Sequence, residues 1–310
     1  MQIIHFPDAP PPKWPAPIAA LGNFDGLHRG HQQLIRQVRH RASERGGTAV
    51  AVIFDPHPPQ VLRPDKAPPL LMTLEQKLEA FERGGLEAVV IVRFTRELSQ
   101  WEPEAFVERV LIDWLRVSEV WVGENFLFGR DRKGTFTLLR ALGEDRGFRT
   151  EKIEPVRYKD FVVSSTRVRH LIGEGRVDEA GALLGRYYTI DGVVVHGDGR
   201  GRELGYPTAN LDVAAALLPA FGIYVTVATI EGVTHPSVTS VGVRPTIGDG
   251  RLAVEAHLLD GPKDLYGTRV RLGFVSRLRE ERKFDGLDAL KVQIAADCDE
   301  ARGILARITV

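Results

Sequence analysis

The chain has one cysteine, Cys298, in 310 residues, so no intrachain disulfide can form. That fits a reducing compartment. Excess charge of either sign is also missing: 41 Lys and Arg balance 41 Asp and Glu. Nothing global therefore recruits nucleic acid or an anionic membrane surface. There are no long hydrophobic runs; stretches such as Ala88 to Val92 are far too short to span a bilayer. The opening segment, MQIIHFPDAPPPKWP, has no basic region followed by an apolar one. Repeats and low-complexity tracts are absent as well. These absences point to a cytoplasmic protein with neither nucleic acid nor membrane as partner. They leave room for local basic sites that bind small phosphates and for a weak homo-oligomer.

What remains is ordinary globular composition, 43% hydrophobic and 26% charged, at a length suited to two domains. In the first half, apolar runs (Ile18 to Gly22, Thr48 to Phe54, Ala88 to Phe94, Ser118 to Val122) predict buried strands. Between and after them, Gly30 to Arg45, Thr73 to Arg83, Pro103 to Leu115 and Gly134 to Asp145 predict helices. Thr73 followed by Gln76 has the spacing of a capping box. Strands alternating with helices predict a parallel sheet whose ligands bind beyond the strands' carboxyl ends. The proline-rich Pro56 to Pro69 segment has no helical period and reads as a mobile loop.

After about Gly185 the pattern changes. Helical stretches from Ser165 to Leu184 give way to short β-branched segments: Tyr188 to His196, Gly222 to Ile230, Ser237 to Val241, Ala253 to Leu259 and Thr268 to Phe274. Turn residues separate them, which predicts an antiparallel barrel. An amphipathic helix from about Leu287 to Ile308 closes the chain. The expected domains are residues 1–185 and 186–310.

The stretch ALGNFDGLHRGHQQLI leads from the first of these strands into the first long helix. Gly22 and Gly26 allow a tight turn and close backbone approach to a phosphate. The helix start offers free N–H groups, and His28 and His31, spaced H-x-G-H around Gly30, can donate to phosphate oxygens as charge shifts. A turn with two exposed histidines is the plainer alternative. Downstream, VSSTRVRHLI places Ser164, Ser165 and Thr166 at a predicted helix start, where N-capping is an alternative role. Arg167 and Arg169 follow in the first turn, where cations oppose the helix dipole unless an anion binds. VGENFLFGRDRKG supplies Asn125, the aromatics Phe126 and Phe128, and three bases. Core packing is the other reading of both rings.

In the second half, HGDGRGRELGYPTANL contains Gly197, Gly199, Gly201 and Gly205. Such a loop can cradle phosphates through its N–H groups, though hairpin turns explain many of them. It lacks the GKS/T ending of a Walker loop. In PTAN, Pro207 fixes the backbone, while Thr208 and Asn210 offer hard oxygen ligands suited to magnesium; taken alone, PTAN reads equally well as a plain β-turn.

Taken together, GNFDGLHRGH, FDPHPP, VGENFLFG and SSTRVR resemble the bacterial bifunctional riboflavin kinase/FMN adenylyltransferase family. The match covers almost all of residues 16 to 184. With PTAN, the barrel segments GIYVTVA, SVGVRPTIGDG, VEAHLLD, DLYG and LREERKFDGLDALKVQIAADCDEAR resemble the kinase half, over about Tyr187 to Arg302. The resemblance implies an α/β Rossmann-like nucleotidylyltransferase domain followed by a six-stranded antiparallel β-barrel with a terminal helix. It implies ATP, riboflavin and FMN as substrates and magnesium carried with ATP. In the first half it implies that His28 and His31 contact ATP phosphates and that Gly22, Asn23, Phe24, Asp25 and Gly30 line the nucleotide pocket. Ser164, Ser165, Thr166 and Arg169 would hold the triphosphate. Phe54, Pro56, Pro58, Asn125 and Phe128 would lie on the flavin side. Many family members carry Asp where this chain has Asn125.

For the kinase half the resemblance implies ATP at Gly197, Gly199, Gly201, Gly205, Pro207, Thr208 and Asn210, with Thr208 and Asn210 binding magnesium. Glu255 would be the base, and Leu278, Arg279, Phe284 and Leu287 would border the flavin. Adenylylation needs no base, since a phosphate is already a nucleophile, but an alcohol does. Glu255 sits inside an apolar strand pattern, whereas Glu280 and Glu281 lie in a charged run that reads as solvated. Alternation puts His257 on the same strand face, making it the rival base. H-x-G-H also occurs in aminoacyl-tRNA synthetases, but neutral charge and the PTAN barrel argue against one. A flavin- or nucleotide-sensing module descended from such an enzyme would have lost the phosphate-handling residues, and they are all here.

Overall fold

Continuous apolar runs form the centre of a fully parallel sheet. Its strands are β1 (Gln2–Phe6), β2 (Ile18–Leu21), β3 (Ala49–Asp55), β4 (Ala88–Arg93), β5 (Glu119–Gly123) and β6 (Arg149–Ile153). They lie in the order β1-β4-β3-β2-β5-β6, every neighbour parallel. All four residues of β2 and the first five of β3 and β4 are buried, as strands covered on both faces require. The edge strands β1 and β6 bury one residue each. From β2 the chain winds one way through β3 and β4, then returns to the other side of β2 as β5 and β6. The winding therefore reverses between β2 and β5, the position where an open α/β sheet leaves a crevice.

The connecting helices are α1 (Arg29–Arg45), α2 (Pro58–Leu62), α3 (Leu74–Arg83), α4 (Pro103–Phe106) and α5 (Phe136–Arg146). The chain after α4 runs on as a π-helix, Val107–Trp114. On α1 the buried residues Gly30, Leu34, Ile35, Val38 and Ala42 follow helical spacing, and Gly46 ends the helix in the left-handed region. The Thr73 capping box forms as expected: Thr73 Oγ1 accepts from Gln76 N at 3.2 Å and Gln76 Oε1 accepts from Thr73 N at 3.0 Å. The proline-rich segment departs from expectation. It holds α2 and a 3-10 turn, Pro64–Lys66, because prolines at the first helical positions lose no hydrogen bond there. A small hairpin, β7 (Arg157–Tyr158) and β8 (Phe161–Val162), follows β6.

The structure, a computed structural model, describes residues 1–197, 201, 204–213, 217–243, 252–262 and 264–308. Packing divides the chain into two compact units, Met1–Pro69 with Thr73–Ser164, and Leu70–Met72 with Ser165–Val310. The second unit opens with α6 (Ser165–Gly173) and α7 (Val177–Leu184). Six antiparallel strands follow: β9 (Tyr188–Val195), β10 (Ala209–Val213), β11 (Gly222–Ile230), β12 (Val233–Val243), β13 (Leu252–Leu258) and β14 (Arg269–Arg279). They form a closed barrel in the order β10-β13-β12-β11-β14-β9, and α8 (Leu287–Leu305) packs against β11 and β12.

Alternation along β11 sorts the two faces of the barrel wall. Tyr224, Thr226 and Ala228 are fully buried on one face, where the Thr226 hydroxyl lies 2.8 Å from Ser237 Oγ and 2.7 Å from Thr239 Oγ1. Val225 and Val227 on the other face join Cys298, Ala301 and Leu305 of α8. Each valine or leucine side chain taken out of water there contributes roughly 1.5–3 kcal/mol. Helix α7 packs on β14 and β9 with Val177, Ala180, Leu183 and Leu184 buried.

Candidate active sites

Three adjacent strands of the parallel sheet, β3, β2 and β5, each release one of the sequence motifs at their carboxyl ends. The turn after β2 is tightly wound. Phe24, Gly26 and Leu27 all have positive φ, at 51°, 78° and 40°. Phe24 is fully buried, its ring 5.3 Å from that of Phe81 on α3 and 5.2 Å from the His31 imidazole. It seats the turn from below instead of forming open pocket wall. His28 is the N-cap of α1: its Nδ1 accepts from His31 N at 3.4 Å. The two imidazoles stack, centroids 3.7 Å apart at 15°. No acidic residue stands in the first turn of α1, so none of its own side chains offsets the positive end of the helix dipole. Any side chain at Gly30 would press on the His28 ring, 3.2 Å from its nearest atoms. Asp25 and His28 are buried, while Asn23 is exposed.

One buried residue of this turn was not anticipated. Lys77 of α3 donates from Nζ to the Asn23 carbonyl at 2.8 Å. Burial pushes its ammonium below the ordinary lysine range, while Asp25 and Asp55 pull the other way. Its only sequence signal is its place one residue beyond the capping box, which looks like ordinary helix surface.

On the β3 and β5 side the aromatics form a chain. Phe54 lies 5.7 Å from Phe106, Phe106 lies 6.0 Å from Phe128, and Phe128 stacks with Phe126 at 5.7 Å. Phe128 belongs to the core, whereas Phe54 and Phe126 are only partly buried and keep ring surface accessible. Asn125 and Pro56 are exposed, and Pro58 half-buried at the start of α2. Ser164 ends the first unit. Ser165, Thr166 and Arg169 lie at the start of α6, whose first turn likewise holds no acid.

The barrel gathers the second set. Asn210 of β10 and Glu255 of β13 are direct partners in the ladder, so their side chains leave the same face. The Thr208 hydroxyl donates to Glu255 Oε2 at 3.3 Å. His257 is next along that face, but its Nδ1 lies 2.8 Å from the Pro207 carbonyl and its ring meets Tyr206 edge-on. An imidazole held by a carbonyl carries its proton on that nitrogen. Gly197 and Gly201 are required sterically: a Cβ at either would collide with the Asn210 side chain or the Tyr206 carbonyl. Gly205 has a φ of 86°. Gly199 lies outside the described residues.

The segment after β14 is more engaged than its charge pattern suggests. Glu281 is not simply solvated: it hydrogen-bonds Ser240, burial pushes its carboxyl above the usual range, and a side chain at Gly242 would collide with it. Ser240 is the ladder partner of Glu255. Arg279 pairs with buried Asp297 of α8, Nη2 to Oδ2 at 2.7 Å, and its guanidinium also lies 5.6 Å from the Phe284 ring. Leu278 packs against the core under α8, and Leu287 is 69% exposed. Arg279 thus links α8 to Phe284 in the segment that follows β14.

Comparison with known proteins follows the same division. The FAD synthetase family model matches residues 11–167, and the riboflavin kinase family model matches residues 184–305. A bifunctional riboflavin kinase/FMN adenylyltransferase of Pseudomonas fluorescens is 40% identical over 290 residues, 93% of each chain. Proteins of the same description from Escherichia coli K12 and Bacillus subtilis are 36% and 34% identical, with at least 90% of each chain covered. A crystal structure described as a macrolide-efflux protein from Streptococcus pneumoniae has a TM-score of 0.87 at 29% identity, covering 97% of this chain and 99% of that one. Among the described residues here, no helix is long and apolar enough to cross a membrane.

Proposed function

This chain belongs to the bifunctional riboflavin kinase/FMN adenylyltransferase family, and from that premise we propose how its residues divide the work. The chain phosphorylates riboflavin to FMN with ATP, then transfers AMP from ATP to FMN, giving FAD and pyrophosphate. Residues 1–185 form the adenylyltransferase and residues 186–310 the kinase. In the adenylyltransferase an FMN phosphate oxygen attacks the α-phosphorus of ATP, and pyrophosphate leaves. His28, His31 and the N–H groups opening α1 donate to the phosphates as charge shifts onto the leaving group. Gly22, Asn23, Asp25 and Gly30 shape the nucleotide side, and Ser164, Ser165, Thr166 and Arg169 hold the triphosphate. Phe54 and Phe126 offer ring faces to the flavin. The observation that supports this best is the release of three motifs from neighbouring strands at the winding reversal.

In the kinase, Glu255 takes the proton of the ribityl hydroxyl as that oxygen attacks the γ-phosphorus of ATP and ADP departs. Thr208 and Asn210, both hard oxygen donors beside Glu255, suit a magnesium ion. Among the described residues no group of three His, Cys, Asp or Glu could hold a metal; magnesium carried by ATP would find its protein ligands in Thr208 and Asn210 and would draw the rest from ATP and water. When bound, it neutralises charge on the phosphates. We place the reaction in the cytoplasm. His31→Ala tests the division. It should lower FAD formation from FMN at least about a hundredfold while riboflavin phosphorylation stays near wild type, so that FMN accumulates on chromatography. Unchanged FAD formation would reduce His31 to a turn residue.

A further inference from the structure

Lys77 is a charged residue with only 8% of its surface exposed, set under a turn proposed to hold a triphosphate. Burying an ammonium is costly unless it is paired or hydrogen-bonded. Here the Nζ donates to the Asn23 carbonyl, which lies in the turn itself, one residue after Gly22. The charged groups acting on it are two carboxylates, Asp25 from the same turn and Asp55 from the end of β3. Asp25 lies in the turn after β2, one of the two strands that flank the crevice, and Asp55 ends β3, the neighbour of β2. Left alone, two carboxylates there would repel a nucleotide polyphosphate. A cation between the strand ends and α3 cancels that repulsion without touching the substrate, and its hydrogen bond fixes the turn.

We propose that Lys77 is a positioning residue of the adenylyltransferase: it pins the nucleotide turn through the Asn23 carbonyl and neutralises Asp25 and Asp55 toward the incoming ATP. The proposal rests on the reading of the first site given above. It separates two contributions. A glutamine at 77 keeps a donor for Asn23 but carries no charge; a methionine keeps similar volume but neither donor nor charge. Lys77→Gln should therefore raise the KM for Mg-ATP in FAD formation on the order of tenfold with kcat little changed. Lys77→Met should raise KM similarly and lower kcat as well.

The charge also predicts a pH signature. The ammonium loses its proton below the ordinary lysine range of 10.5. The wild-type KM for ATP should rise as pH climbs toward that range, and in Lys77→Gln this alkaline rise should vanish. Stability moves the other way. The unfolded chain holds the proton to higher pH than the folded one, so stability contributed by this group increases through the same window. A residue that only supported the fold would not raise KM while stability improved.

All four tryptophans, Trp14, Trp101, Trp114 and Trp121, lie in the first unit. Tryptophan fluorescence on heating therefore reports whether that unit stays folded in each variant, and riboflavin phosphorylation serves as the internal activity control. Wild-type protein that converts no FMN to FAD would overturn the reading of the site. Wild-type protein that does so, with Lys77→Gln folded and its KM and alkaline limb unaltered, would overturn the role of Lys77.

Discussion

Glu255 owes its setting to two ladder neighbours. Asn210 flanks it on one side and Ser240 on the other, and the Thr208 hydroxyl donates to it. Glu255→Gln keeps this size and most of its hydrogen bonding but cannot accept a proton. FMN production should fall at least about a hundredfold, while FAD formation from supplied FMN continues. Normal riboflavin phosphorylation by this variant would exclude the role and pass it to His257, whose Nε2 is the basic nitrogen when Nδ1 is protonated. Much at this scale could be read from the chain. PTAN by its residue types and VEAH by its family resemblance singled out Thr208, Asn210 and Glu255, and the barrel brings the three side by side. Lys77 and the seating role of Phe24 could not be read, because both depend on a contact between α3 and the turn after β2. Phe128 shows the reverse limit: a motif residue whose ring the core takes.

At the scale of elements, the buried central strands were legible and the edges were not. Strands such as AVAVIFD and AVVIVR announce themselves by unbroken apolar runs. QIIHF and RTEKI, at the two edges of the sheet, face water and carry polar residues that erase the run. Strand β10 was hidden differently, since its first residues are those of the PTAN motif and read as a turn. The segment α6–α7 reads as the tail of the first domain by sequence. By packing it belongs with the barrel, since α7 buries four aliphatic side chains there. A fragment beginning at Ser165 should therefore melt higher than one beginning at Tyr187, by roughly 10 °C for a few kcal/mol of lost burial, in calorimetry of the two. Equal melting temperatures would show that the barrel does not lean on α7.

The molecule as a whole joins an open parallel sheet and a closed barrel, and the barrel's closure is uneven. Among the described residues, β11 and β12 pair along nine positions, but β10 and β13 meet through two, Ala209 with Ala256 and Asn210 with Glu255. The shortest seam among the described residues is thus the one from which the kinase residues project. A cylinder of strands opens first along its weakest join, and opening this one separates Asn210 from Glu255. A nucleotide that binds at Thr208 and Asn210 only while the join is closed would then act as a fastener on it. Amide hydrogens of β10 and β13 should exchange fastest among the barrel strands in the free protein. At a hundredfold excess over Kd, Mg-ADP should slow them by about 100-fold, the factor expected when only the closed form binds. Seam amides indifferent to bound nucleotide would mean that the join stays shut without it. If they respond, the barrel is held closed in part by the substrate that it serves, and its lifetime in the cell follows the supply of nucleotide.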